Sequence, residues 1–556
     1  MGNSKENYNY EDQADWFNIG CISYNNEEYS KSIEAYKNFL TSHPRDKKAW
    51  NNLGMVYSRI KQYEKAVKSY EQSLKIDPTY ELPINSLAKL ASTFLDDGNY
   101  KKAIEILKKT LYFDWENVDN LVELGRAYRM NKEYESAMDT YNKALLLDPN
   151  NKTTWNNLGY VFYCNGEFDK AFDAYSVSLN IDPTYDFPLK NLSLLALAYL
   201  ERKSYYKAIY TYETVLILDP GNINNLIDLG RAYRRHEEYD KAIKSYKKAL
   251  ELDSNNGTIW NNIGYAYRCN GEYDKAIEAY KNSIRIDPSY SLPLDNLAAI
   301  ASEFNENREF DKAIEVYIIV LEIKEDDVNN WIDLGRTYRM NEEYDKAIKS
   351  YKKALELDSK NKLTLNNLGY AFYSNGDYDE ALDSYMKSLK IDPLYHLPLE
   401  NLITLASTFK VHNELDKAIE VYEFLLQSNS KHTEFWINLA EAYKIVGDLD
   451  KSIKAYKQAL NLDPNNKRLW NDLGFLYYSN LKFEKAIDAY FKALRIDPNY
   501  RLPLKNLFDL AVAFKEKDEY DKAIETYKLI LEVDSNNKRA TKNLSFIENL
   551  KKDKKV

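Results

Sequence analysis

Residues 260–288 read WNNIGYAYRCNGEYDKAIEAYKNSIRIDP, from Trp260 to Pro288. At 100° per residue, Trp260, Ile263, Gly264 and Tyr267 fall on one arc of a helix. The Asn270-Gly271 pair then supplies the left-handed stop that ends such a helix. A second apolar arc follows in Tyr273, Ala276, Ile277, Tyr280 and Ile284, and Pro288 closes it. The stretch is one helical hairpin. Nearly all the rest of the chain copies it.

The small residue that pairs the two helices recurs at Ser32, Ala66, Ala103, Ala137, Ala171 and so on to Ala523, in steps of 34, 37 and 34 residues. That makes fifteen hairpins in five units of 105 residues: 13–117, 118–222, 223–327, 328–432 and 433–537. The three extra residues always fall where the second hairpin of a unit meets the third, in DPTYELP, DPTYDFP, DPSYSLP, DPLYHLP and DPNYRLP. Ten of the fourteen prolines lie there, so each of these linkers reads as a stiffened, lengthened turn. Segments 231–256 and 336–361 are almost the same string, which points to growth by duplication of three-hairpin blocks. The expected fold is an all-α solenoid, with a polar tail over 1–12 and a capping helix and Lys-rich tail over 538–556.

Composition narrows the function classes. With 76 basic and 86 acidic residues the net charge is −10, which disfavours a nucleic-acid binder. Cys21, Cys164 and Cys269 lie far apart, with neither metal-ligand nor disulfide spacing, and this suits a reduced, cytoplasmic compartment. The first residues lack the apolar core of a signal peptide, and Glu6 stands where a myristoylation motif wants Ser or Thr. No phosphate-cradling loop, zinc motif or nucleophile–base pair stands out. The expectation is a protein that is not an enzyme and needs no cofactor or metal.

Trp, Leu-Gly, Tyr, Ala, aromatic and Pro at 34-residue spacing resemble the tetratricopeptide repeat. In the opening stretch the matching residues are Trp260, Ile263, Gly264, Tyr267, Ala276, Tyr280 and Pro288, and the resemblance covers about 13–537. It implies stacked helix pairs in a superhelix, the first helix of each pair lining a concave groove that holds extended peptides of other proteins. Members that grip a terminal carboxylate carry Lys three before the Gly and Asn just after it, a pair found in no hairpin here.

With Trp, Leu and Gly turned to the core, the opposite face holds the residues two before, one after and four after the Gly. In second hairpins these include Asn157, Asn262 and Asn367, then Tyr160, Tyr265 and Tyr370. In first hairpins of the inner units they are Glu123, Asp228 and Asp333, then the pairs Arg126 and Arg129, Arg231 and Arg234, Arg336 and Arg339. Asn carries both a donor and an acceptor for a peptide backbone, Arg can hold carboxylates bidentately, and Tyr offers wide contact. These rows describe a groove for acidic, extended segments. The alternative for the arginines is a structural ladder with the neighbouring acids. Units one and five break the pattern, with Cys21 and Tyr24 in one and Glu441 and Lys444 in the other. Two other functions fit the same repeats: a regulatory subunit of a separately encoded glycosyltransferase or kinase, and, third, RNA binding. End-to-end self-association is also open to such an array.

Overall fold

The computed structural model describes residues 10–428 and 430–553, and within them the chain forms thirty-one α-helices. Odd-numbered helices from α1 (Tyr10–Asn25) to α29 (Arg501–Glu516) are the first, or A, helix of each hairpin. Even-numbered helices from α2 (Tyr29–Ser42) to α30 (Tyr520–Val533) are the second, or B, helix. The last, α31 (Lys538–Asp553), stands alone and buries Ala540 and Ile547. Two expectations at the ends change. Helix α1 already includes residues 10–12, and Lys551, expected in a solvated tail, lies in α31 and pairs with Asp521. The rest of the proposed tails, residues 1–9 and 554–556, lies outside the described residues.

Local chemistry explains each hairpin. In α15 (Gly257–Cys269) the Asn256 side chain accepts from the Ile259 amide and starts the helix. The chain then turns through Gly271 at φ +77° into α16 (Tyr273–Ile286). Each of the fifteen turns between A and B has one left-handed residue, but only Gly98, Gly166, Gly271, Gly376 and Gly447 are glycines. Leu481, at φ +57°, is the one branched aliphatic residue among the others and costs about 1–2 kcal/mol relative to glycine.

The helices of a pair meet glycine against tyrosine. A Cβ built on Gly264 would lie 2.7 Å from the ring of Tyr280, which is fully buried beside Ala276. The tryptophans pack against the core as expected, and they also bond to the backbone. Trp155 and Trp470 stay half-buried, and their indole N–H groups donate at 2.9 and 2.8 Å to the carbonyls of Pro149 and Pro464, six residues earlier. These bonds fasten α9 and the helix that carries Trp470 to the turns before them.

The linkers also depart from expectation. Asp182 to Tyr185 is a turn of the same length as Asp148 to Asn151. The extra residues lengthen the following helix: α11 (Asp186–Glu201) has 16 residues where α9 (Lys152–Cys164) has 13. Pro188 is buried in its first turn, where no intrahelical N–H bond is lost. A clamp accompanies the Asp and Tyr of the linker. Lys152 pairs with Asp182 and lies 5.1 Å from the Tyr185 ring centroid; Lys362 pairs with Asp392 at 2.5 Å and lies 5.2 Å from Tyr395. The middle linker lacks the cation because Gly257 occupies the lysine position, and its helix α17 (Leu292–Glu306) starts one residue late.

The chain divides into two compact units, Met1–Pro293 and Leu294–Val556. In the first, buried cores run from Tyr36 to Val161 and from Ala171 to Ala279. In the second, one core runs from Ile332 to Ile547.

Candidate functional site

On α7 (Val118–Met130), Leu124, Gly125 and Tyr128 are buried against α8 (Tyr134–Leu147). The helical repeat therefore turns Glu123, Arg126 and Arg129 to the other side, the A face. α13 (Ile223–Arg235) in the same unit, and α19 (Val328–Met340) in the second, repeat this arrangement.

The two arginines of each pair have different surroundings. The first meets the acid one turn before it: Arg126 lies 3.4 Å from Glu123, Arg231 2.5 Å from Asp228 and Arg336 3.7 Å from Asp333. Burial pushes the Asp228 and Asp333 carboxyls up, and the adjoining arginine opposes the shift. The second arginine lies over a ring of the next hairpin. Arg129 is 4.9 Å from the Tyr160 centroid on α9, and Arg234 is 4.6 Å from Tyr265 on α15. In the second unit Arg339 is 4.8 Å from Tyr370 on α21 (Lys362–Asn375). Each such contact contributes about 0.5–2 kcal/mol and orients the guanidinium.

The asparagines divide as well. In the WNN triplet the first Asn is buried: Asn156 accepts from Asn191 at 2.8 Å, which ties α9 to α11. In the second unit Asn366 accepts from Asn401 at 2.9 Å in the same way. The next residues, Asn157, Asn262 and Asn367, are half-buried, and no hydrogen bond to another described residue engages their side chains. Asn52 is different, because it donates to the Tyr36 hydroxyl at 3.3 Å.

Sequence reasoning missed that unit five keeps the cation over the ring. Lys444 on α25 (Thr433–Val446) lies 5.2 Å from the Phe475 centroid on α27 (Lys467–Ser479), and Glu441 pairs with Lys410 at 3.0 Å. Lys for Arg together with Phe for Tyr hides the motif from a search by identity. Cys164, beside this face, has its thiol pushed up by burial, which disfavours the thiolate a nucleophile needs. Among the described residues no group of three or more His, Cys, Asp or Glu could hold a metal ion, and no helix is long and apolar enough to cross a membrane.

Family models match the chain at many places. A model described as the cytochrome c-type biogenesis protein H TPR domain matches residues 23–147. Tetratricopeptide repeat models match 140–173, 258–290, 363–395, 468–500 and 504–537, and a TPR repeat model matches 230–271, 335–376 and 442–480. No curated protein sequence matches. Among solved structures, one of Naa15/Naa10 bound to HypK-THB aligns over 97% of this chain and 96% of its own, at 15% identity and TM-score 0.38. The C-terminal part of a TPR repeat-containing protein from Cytophaga hutchinsonii aligns over 50% of this chain and 97% of its own, at 21% identity and TM-score 0.29. YrrB, a TPR protein with an unusual peptide-binding site, aligns over 35% and 98%, at 22% identity and TM-score 0.25.

Proposed function

The chain belongs to the tetratricopeptide repeat family, and from that premise we propose that it is a protein-binding scaffold whose A faces hold extended, acidic segments of partner proteins. The observation that carries this reading is the free Asn157, Asn262 and Asn367 side chains, each next to a cation stacked on a tyrosine. A peptide backbone would exchange hydrogen bonds with the amides, at about 0.5–1.5 kcal/mol net for each. Peptide carboxylates would meet Arg129 and Arg234 in the first unit and Arg339 in the second, at roughly 1.5–3 kcal/mol per charged bond. Arg126, Arg231 and Arg336 contribute less than the sequence suggested, because their own acids neutralise them. The resulting mixed-sign face suits a protein segment better than a polyphosphate backbone.

Partner capture by the wild-type chain and by Arg234→Glu with Arg339→Glu tests the proposal. Partners held by the wild type should be lost from the variant, while far-UV circular dichroism and melting stay close to wild type. Asn262→Ala with Asn367→Ala should weaken the same partners with less charge disturbance. An unchanged partner list for both variants overturns the reading.

A further inference from the structure

A second surface lies on the B-helix side of the first unit, where α6 (Tyr100–Phe113) and α8 form the walls of a groove and α7 its floor. The cavity measures about 610 Å³, with Leu121, Leu124 and Tyr128 at the bottom. Its rim is apolar and open to solvent: Trp115 is 66% exposed, Tyr112 81% and Leu146 83%. Exposed aromatic and aliphatic side chains converging on one slot form the kind of patch that marks an interaction site.

The sequence of this turn is unlike the others. Seven hairpins carry a tryptophan at this A-helix position, and Trp155 and Trp331 donate to the carbonyls of Pro149 and Glu325 in the preceding turn. Here Leu121 takes the helix position, and the tryptophan stands six residues earlier, at Trp115 in the turn. Every other turn of this kind has Pro, Ser or Glu at that place. The groove beside Trp260 is of similar size, about 600 Å³, so what sets this slot apart is the indole on its rim.

Charge says what fits. The charged side chains lining the slot are Lys108 on one wall and Lys143 on the other, and neither forms an ion pair with a described residue. The comparable grooves carry both signs. Glu251 and Glu278 accompany Lys247 and Lys275 beside Trp260, and Glu322 and Glu325 accompany the lysines beside Trp331. We propose that the α6–α8 slot docks an acidic amphipathic segment of a partner protein, its apolar side chain inserted over Leu121 and its carboxylates held by Lys108 and Lys143. This surface is separate from the A face and independent of the function proposed there.

Fluorescence anisotropy on the full chain tests it, with a labelled peptide carrying Leu and Phe at helical spacing and Glu and Asp between them. The control peptide replaces the acids with lysine. The acidic peptide should bind the wild type and bind Trp115→Ala with Lys143→Glu roughly tenfold more weakly or worse. Both substitutions are on exposed side chains, and circular dichroism checks the fold. Arg234→Glu with Arg339→Glu should leave this binding intact, which separates it from the A face. Equal binding to the Trp115 variant, or equal binding of the lysine peptide, overturns the proposal. A concentration-dependent dimer in sedimentation that Leu146→Glu dissolves also overturns it, because the slot would then be filled by a second copy.

Discussion

The hairpin α7–α8 presents two unlike surfaces on one scaffold. Its A face is polar, with Glu123 bridged to Arg126 and Arg129 stacked on Tyr160. Its B side is an apolar slot with Lys143 at the edge and Leu146 almost fully exposed. Between them lies the same packing found elsewhere in the chain, Gly125 against the ring of the buried Tyr141. Helical geometry makes this separation possible. Residues that pack the pair occupy one arc, and those outside it can change without disturbing the core. Surface chemistry is free where the Gly–Tyr contact is kept.

That dependence can be broken at its centre. A Cβ on Gly125 would lie 2.6 Å from the Tyr141 ring, so Gly125→Val should lose about 2–3 kcal/mol of stability in chemical denaturation. Binding at both faces should weaken together. If one face keeps full affinity at wild-type stability, the two do not share this contact.

A smaller change sharpens the A face alone. Asp228 is held in a half-buried place against Arg231, and its carboxyl is pushed up by that burial. Asp228→Asn should free Arg231 for a peptide carboxylate and tighten acidic-peptide binding roughly three- to tenfold by calorimetry. The α6–α8 slot should not respond. Weaker binding would mean that Asp228 orients Arg231 instead of competing for it.

The smallest effect concerns neither face. The Lys152 pairing holds the Asp182 carboxyl at about 2, below its ordinary value. A depressed carboxylate pKa contributes stability that is present above the unfolded value of about 3.9 and is lost as pH falls through the folded one. Lys152→Met should therefore melt slightly below wild type at neutral pH and converge with it near pH 2. At the middle linker, where Gly257 stands in the lysine's place and a Cβ would lie 3.2 Å from the Ser283 carbonyl oxygen, Gly257→Met should change melting by the same amount at neutral pH and near pH 2. Binding at both faces should be unaffected.

Sequence by itself determined the repeat, the hairpin and the arc that packs it, because these depend on contacts within a helix or across one turn. Trp260 to Pro288 held the Gly264–Tyr280 pair, the stop at Gly271 and the asparagine later found free, Asn262. The A-face rows were legible for the same reason, as periodic positions opposite the core. Tertiary structure decided what depends on partners from other helices. It placed the three extra residues in helix α11 instead of its turn, and turned Asn156 inward to Asn191 while Asn157 stayed free. It also laid Arg129 on Tyr160, 31 positions away. Periodicity reports which side of a helix a residue occupies. Which neighbour stands there follows only from how the helices pack.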